Sequence, residues 1–485
     1  MLPVYLKELK KYSFSDLLNL SQLSVSGLSS FLTKSIAAGI VKKKVKTAAY
    51  NFSPEIADFD EYTPDESEVD AIYSFQYVGI LHFHGKLIVV YPKYFSKIPS
   101  VASIRQIIAI ISNYRNNLHS HLRIKGGTAD SGCISSLSLY LFLLSDFHQH
   151  GAYSSTDFRI IENGDGFILW DKTINEKNPY FQNNKPIYVE YYARQHIDDD
   201  NNFFTLLHQS VVASCSKTLE KLGVLDLFGL TPCYPTEEEI DSFGDTEYIL
   251  YRLQGELSEQ FGSRNRMILQ TLMAYIGNLF REEYESDEKL DLYGTTSFHQ
   301  LWEHVCASVF DNELNVPLKN NRLICSSDTR TLLEIIEKPI WAAYNSDRTI
   351  AYQHEARETL TPDLAKLYST ESGIVLAVFD AKYYCIQLRE NKLDNHPGVG
   401  DVTKQHLYQL AYRELLLKEG ISRITNSFLL PSEENDLTCM GEASMRMLTD
   451  IGMEPIRLYL VPAGYVFEKY LKNEKLELTF FNCAR

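Results

Sequence analysis

The spacing of apolar and polar positions divides the chain into stretches of different period. Near the start, Ser13 and Ser15 precede Leu17, Leu18 and Leu20, the spacing of a capped helix, and residues 24–40 repeat the pattern as a second amphipathic helix ending at Gly39. The run AAGIVKKKVK then reads as a recognition-type helix passing into a wing strand, the outline of a small winged helix. From Tyr73 the period shortens to two. SFQYVGILHFHGKLIVVYPKYF alternates, is rich in β-branched and aromatic residues, and carries Gly85 at a hairpin turn, with His82 and His84 on one strand face. Helical spacing returns in SIRQIIAIISNY, in CISSLSLYLFLLSDF, and over 203–228 and 248–280.

The carboxy-terminal half carries the sharpest pattern. SFHQLWEHVCASVF sets Phe298, Leu301, Trp302, Val305 and Val309 at helical spacing, with Glu303 among them. Residues 374–379 form an uninterrupted apolar run, which suits a strand buried on both faces, and it ends directly in Asp380-Ala381-Lys382. Alternate strand residues share a face, so Asp380 and Lys382 point together past the buried segment. Asp363 can sit on the adjacent strand and complete the cluster. Residues 401–418 read as a helix with Gln405, Gln409 and Tyr412 on an exposed stripe and Leu407, Leu410, Ala411 and Leu415 toward the core. RITNSFLLP and PIRLYLVP add buried strands and complete an α/β core.

Composition refines this picture. The chain has 485 residues, room for two to four domains of roughly 150 residues. Its 47 Lys and Arg stand against 63 Asp and Glu, a net charge of -16, which argues against a surface wholly devoted to nucleic acid. The charge is uneven. Residues 1–50 hold eight lysines and two acids, whereas residues 51–70 hold eight acids and no Lys or Arg, the mark of a linker or exposed loop. The eight cysteines form no CxxC pair, so zinc ribbons and thioredoxin-like sites are unsupported, and scattered thiols fit a cytoplasmic protein. No signal peptide and no apolar run of membrane-spanning length is present, so a membrane partner is not expected. KGGTADSG lacks the Lys-Ser/Thr ending of a phosphate-binding loop, so the chain is not expected to hydrolyse nucleotides by itself.

The acidic cluster is suited to phosphodiester hydrolysis. Two carboxylates, Asp363 and Asp380, can hold one or two Mg²⁺ ions, hard cations that prefer oxygen ligands, with Mn²⁺ as the substitute. Lys382 beside them can orient or deprotonate a water and offset charge on the phosphorane. A bare [DE]xK is weak evidence, since Glu8-Leu9-Lys10, Asp287-Glu288-Lys289 and Glu390-Asn391-Lys392 have the same form in polar surroundings. Only the triplet at Asp380 closes a buried strand and follows a Pro-Asp.

TPD, VFDAKYY and DVTKQHLYQLAY together resemble the PD-(D/E)XK nuclease core with its trailing QxxxY-like helix. More narrowly, the chain is similar to the LlaJI-type restriction endonucleases, which are akin to McrC of the McrBC restriction systems. YSFQYVGILHFHGKLIVVYPKYF, SFHQLWEHVC and IEKPIW extend the likeness over residues 70–485. The resemblance implies an α/β fold, with an α+β McrC-like partner-docking region over 61–290 and a nuclease core over 291–485 with a mixed sheet flanked by helices; the winged-helix-like segment over 1–60 rests on the residue pattern and is less typical of McrC. It makes Asp363 and Asp380 metal ligands and Lys382 the catalytic lysine. It adds Glu303 as an acid on the first core helix, and Gln405, Gln409 and Tyr412 on the trailing helix, two glutamines leaving the register open. It also implies a substrate, double-stranded DNA, and a partner, an McrB-like AAA+ GTPase hexamer whose GTP hydrolysis the McrC-like subunit stimulates. The expectation is therefore a Mg²⁺-dependent endonuclease of prokaryotic antiviral defence. The alternatives are a non-catalytic adaptor that activates the GTPase and a winged-helix DNA-binding regulator.

Overall fold

The computed structural model describes residues 3–45, 71–125, 136–154, 156–198, 202–282 and 290–483; the acidic stretch 51–70 and residues 126–132 of the KGGTADSG run lie outside them. The chain forms two compact units, one of Met1–Leu2, His82–Leu87 and Asp130–Tyr293, the other of Pro3–Leu81, Ile88–Ala129 and Gly294–Arg485.

The first unit is built on helices Ser136–His150, Phe203–Leu222, Thr246–Glu259 and Ser263–Glu282. The long apolar stripe of Phe203–Leu222 buries Leu207, Val211, Cys215 and Leu219, and the helix stops at Gly223, whose φ of 68° suits a residue without Cβ. A three-stranded antiparallel sheet of Thr156–Glu162, Tyr192–Asp198 and Phe167–Ile168 accompanies them. These short strands carry no clear period, and the sequence pattern did not announce them. His82 and His84 do not share a strand face as the alternation predicts. The strand ends at Phe83, and His84 and Gly85 form the turn with φ of 47° and 71°, the paired positive values of a tight hairpin.

The second unit begins with helices Phe14–Ser21 and Val25–Ala37. Ser13 Oγ accepts the Asp16 N–H at 3.1 Å while Asp16 Oδ2 accepts the Ser13 N–H at 3.0 Å, a reciprocal cap, and Ser24 Oγ accepts the Gly27 N–H at 3.0 Å. The strand Ala71–Phe75 pairs antiparallel with both Lys11–Ser13 and Val41–Val45. Lys42, Lys43 and Lys44 lie exposed on the last of these.

The remainder of this unit is centred on a five-stranded mixed sheet in the order Leu364–Thr370, Gly373–Ala381, Arg423–Ser432, Ile456–Pro462, Thr438–Ala443. The three central strands run parallel and both edges antiparallel. The central apolar run explains the layering. Ala377, Phe379 and Ala381 enter one core with Phe298, Leu301, Trp302, Val305 and Phe467. Leu376 and Val378 enter the opposite core with Tyr408, Tyr412 and Leu415. Helices Phe298–Val309 and Ala463–Leu471 cover the first face, and Val399–Ala411 covers the second. Trp302 anchors the first face through Nε1–H donating to the Leu429 carbonyl at 3.0 Å. The single helix expected over 401–418 is two, Val399–Ala411 and Arg413–Glu419, meeting at Tyr412.

Candidate active site

The strand Gly373–Ala381 delivers Asp380 to the carboxyl end of the parallel strands, where its partner across the ladder is Phe428. In such sheets the carboxyl ends of strands are the usual place for a ligand, because the chain turns away there and leaves a crevice. Asp363 sits one residue before the antiparallel edge strand, whose Leu364 pairs with Phe379. Its Oδ2 accepts the Ala381 N–H at 2.8 Å. Asn312 fixes the same corner: its Nδ2 donates to the Asp363 carbonyl at 3.0 Å and its Oδ1 accepts the Ala365 N–H at 3.0 Å. The adjacent-strand placement of Asp363 expected from sequence is what the register produces.

The two carboxyls are within hydrogen-bonding reach of each other. Burial, reinforced by the hydrogen bond and charge of Asp380 and by the charge of Glu303, pushes Asp363 far above the usual carboxylate range. Lys382 Nζ lies 3.2 Å from Asp380 Oδ1 and 3.3 Å from Asp401 Oδ1. Burial works to lower the Lys382 pKa, but the charges of Asp380 and Asp401 outweigh it and hold the ammonium protonated. Glu303, half-buried on helix Phe298–Val309, is within electrostatic reach: burial raises its pKa, Lys382 opposes that and Asp380 adds to it.

The trailing helix departs from expectation in its orientation. Gln405 and Gln409 are 0% and 6% exposed and Tyr412 is buried, whereas Leu407 and Leu410 are 40% and 41% exposed, the reverse of the expected faces; Leu415 and Ala411 pack in the core as expected. Gln409 is committed to the main chain, its Nε2 donating to the Glu454 carbonyl at 2.8 Å and its Oε1 accepting the Glu454 N–H at 2.9 Å. Tyr412 Oη donates to the Leu332 carbonyl at 3.0 Å. Gln405 differs: both its amide atoms are buried without a hydrogen-bond partner among the described residues. It lies one turn after Asp401 on the inward stripe. Polar residues can fill that inward stripe because Gln409 and Tyr412 satisfy main-chain groups of the interior.

Two residues escaped the sequence reading. Asp401 holds Lys382 and, through Oδ2, accepts the Gly398 N–H at 3.2 Å, capping its own helix. Tyr408 is buried, and burial followed by the charges of Asp380 and Asp363 raises its phenol pKa, which puts it beside the acids. The spacing of Asp401, Gln405 and Tyr408, at i, i+4 and i+7, was the available signal.

Among the described residues no three His, Cys, Asp or Glu side chains converge as a ready-made metal cage. The donor set still fits Mg²⁺, which keeps several waters and needs only one or two carboxylates from the protein. Two buried carboxyls forced together, the Asp363 pKa raised chiefly by burial and then by Asp380, are the arrangement a dication relieves. Asp363, Asp380 and the Ala381 carbonyl are the groups that would hold it.

The model of the LlaJI restriction endonuclease family matches residues 77–463. A component of the type II restriction enzyme BsuMI from Bacillus subtilis, YdjA, is 28% identical over 424 residues, covering 84% of this chain and 83% of that protein. Among solved structures, the half-complex from a tetradecameric assembly of Thermococcus gammatolerans McrB AAA+ hexamers with bound McrC aligns over 97% of this chain and 99% of the other, at 13% identity and a TM-score of 0.36. The McrBC complex of the same organism aligns over 59% of this chain and 89% of the other, at 15% identity and a TM-score of 0.22. No helix among the described residues is long and apolar enough to cross a membrane. With the family model spanning most of its length and a mixed α/β sheet carrying acids at its carboxyl end, the chain belongs to the LlaJI restriction endonuclease family.

Proposed function

We propose that this chain is the Mg²⁺-dependent, DNA-cleaving subunit of an McrBC-like restriction system, with a PD-(D/E)XK active site built from Asp363, Asp380 and Lys382. The observation that carries the reading is the convergence of two buried carboxyls and a doubly paired lysine at the carboxyl end of a parallel sheet. Asp363 and Asp380 would hold Mg²⁺, which would supply Lewis-acid polarisation of the scissile phosphate. Lys382, kept protonated by its two acids, acts as a fixed cation that stabilises charge developing on the phosphoryl oxygens rather than as a base. Asp401 keeps that cation aimed, and Glu303 is the half-buried acid placed to take a proton. Gln405, with an uncommitted amide, is the glutamine of the trailing helix that serves the site, while Gln409 and Tyr412 hold the helix in place.

The partner in this reading is an McrB-like AAA+ GTPase that contacts residues within 61–290. Residues 3–45, together with the strand Ala71–Phe75, form a basic winged-helix-like element whose exposed Lys42, Lys43 and Lys44 meet DNA phosphates. The test is cleavage of duplex DNA in Mg²⁺ by the chain with its partner and GTP. Asp380→Asn is expected to abolish cutting while GTPase stimulation and the unfolding temperature stay at wild-type levels. Cutting that persists in this variant overturns the assignment.

A further inference from the structure

A second lysine reaches the catalytic end of the sheet. The strand Lys86–Tyr91 leads into residues 92–99, and this segment is pinned at two points. The Lys93 backbone N–H points at Glu8 Oε2 at 3.1 Å and at Tyr383 Oη at 3.2 Å, and Tyr383 Oη donates to Glu8 Oε2 at 2.5 Å. Three residues on, the Ser96 N–H donates to Glu433 Oε2 at 3.0 Å. Tyr383 directly follows Lys382, and Glu433 directly follows the strand Arg423–Ser432. The segment therefore lies across the carboxyl ends of two neighbouring parallel strands, the ends that bear the acids.

The Lys93 ammonium is oriented by this arrangement. Its Nζ sits 4.4 Å from the centroid of the Tyr383 ring and 5.8 Å from that of Tyr384. Glu8 accepts the Lys93 N–H and also attracts its ammonium by charge, so the buried carboxylate fixes the backbone and steadies a cation that rests on aromatic faces. A cation seated on rings is held in direction at little cost and keeps its capacity to receive an anion. The exposed His299, on the helix that carries Glu303, is within electrostatic reach of both Lys93 and Lys382. Packing of a lysine stem on a tyrosine accounts for the ring contact alone. It does not account for a buried glutamate spent on fixing the backbone that presents the lysine.

We propose that Lys93 is a DNA-phosphate contact at the edge of the catalytic centre, and that the Glu8–Tyr383 pair positions it. The inference rests on the nuclease reading above and extends it: an amino-terminal residue, Glu8, becomes part of the architecture of the carboxy-terminal site.

The experiment is equilibrium binding of a short fluorescein-labelled DNA duplex to the full-length chain without divalent metal, over a range of salt. Lys93→Met keeps the stem on Tyr383 and removes the charge. It is expected to weaken binding about fivefold to tenfold at low salt and to flatten the slope of log K against log salt by about one, the loss of one phosphate contact. Lys93→Arg is expected to restore the slope. Glu8→Gln discriminates position from charge: deleting a negative charge alone tightens DNA binding, whereas loss of positioning weakens it, here about twofold or more. An unchanged slope in Lys93→Met overturns the contact and leaves the nuclease reading standing on its own Asp380→Asn test. A wild-type chain that neither binds duplex nor, with partner and GTP, cuts it overturns both.

Discussion

Asp401→Asn separates the charge that holds Lys382 from the cap that starts the trailing helix. The substitution is isosteric, and the asparagine oxygen can still accept the Gly398 N–H now received at 3.2 Å, so the helix start is expected to lose well under ~1 kcal/mol. What disappears is one of two negative charges on the lysine. At the 3.3 Å separation of Lys382 Nζ and Asp401 Oδ1, an effective dielectric of about 20 gives a gross attraction of roughly 5 kcal/mol. Most of that is offset by the hydration each group gives up, which leaves a partly buried ion pair, between the exposed and the buried cases, about 1.5–3 kcal/mol net. The side chains are only 22% and 21% exposed, so solvent screening removes little more. If the lysine loses that much of its preference for the reacting position, the chemical step slows about 10-fold to 100-fold, at tenfold per ~1.4 kcal/mol. The assay is single-turnover cleavage in Mg²⁺ by the assembled system, which isolates chemistry from GTP-driven movement. DNA affinity without metal should tighten slightly, because one acid near the site is neutralised, and the unfolding temperature should fall by only a few degrees, at about 2–4 °C or less per kcal/mol in a unit of this size. A single-turnover rate within twofold of wild type refutes the positioning role of Asp401.

Other outcomes follow from the same geometry. Gln409→Ala removes both hydrogen bonds to the Glu454 main chain, and chemical denaturation should show a loss of about 2 kcal/mol, whereas Gln405→Ala should reduce cleavage with less effect on stability. Trp302→Ala empties the face beneath the strand Gly373–Ala381 and removes one of the two hydrogen bonds at the Leu429 carbonyl, leaving the one from the Lys382 N–H, so the same measurement should register a loss of about 3–5 kcal/mol. Burial lowers the His208 pKa from 6.5 to about 4, so the unfolded chain binds a proton there before the folded chain does. Stability from this group is complete above pH 6.5 and declines as pH falls toward about 4, by ~3 kcal/mol at most; His208→Leu should flatten that part of the stability profile. Mg²⁺ at about a hundred times its Kd should raise wild-type stability by ~2.7 kcal/mol, and Asp380→Asn should abolish the shift seen by calorimetry.

The parts of the fold legible in the sequence are those whose residues report their own burial. The run from Ile374 to Phe379 has no polar interruption, and only a strand covered on both faces accommodates it, so the position of Asp380 at its end followed at once. Helix Phe298–Val309 declared itself by Trp302 and its apolar neighbours at helical spacing. The trailing helix failed the same logic. Gln405, Gln409 and Tyr412 look solvent-facing because hydropathy assumes an apolar interior, yet all three are buried, Gln409 and Tyr412 against main-chain groups and Gln405 without a hydrogen-bond partner among the described residues, while Leu407 and Leu410 face outward. The network around residues 92–99 was illegible for another reason. It joins Glu8 to Tyr383 across 375 positions, and nothing local in either segment announces such a pairing.

The overall charge of -16 takes on a different meaning once the acids are located. Asp363 and Asp380 within hydrogen-bonding distance, if both were ionised, would repel by roughly 6 kcal/mol at an effective dielectric of about 20. A fold selected only for stability would replace one of them, since a neutral residue of similar size removes that repulsion at no cost in packing. Instead the chain surrounds the pair with devices that keep it in place: Asn312 clamps the Asp363 corner, the Ala381 N–H binds its Oδ2, and Lys382 spans Asp380 and Asp401. Structural ion pairs are arranged so that charges cancel locally. Here the four groups Asp363, Asp380, Asp401 and Lys382 carry three potential negative charges against one positive, and burial makes the excess expensive. A proton on Asp363 removes part of the imbalance, but a dication would remove the rest and allow both carboxylates to ionise. On the proposed function, the same imbalance has a use in a chain this acidic: the excess negative charge at the centre is where the proposed Mg²⁺ would sit, and the cations proposed to meet DNA there, Lys382 and Lys93, are few but fixed in direction.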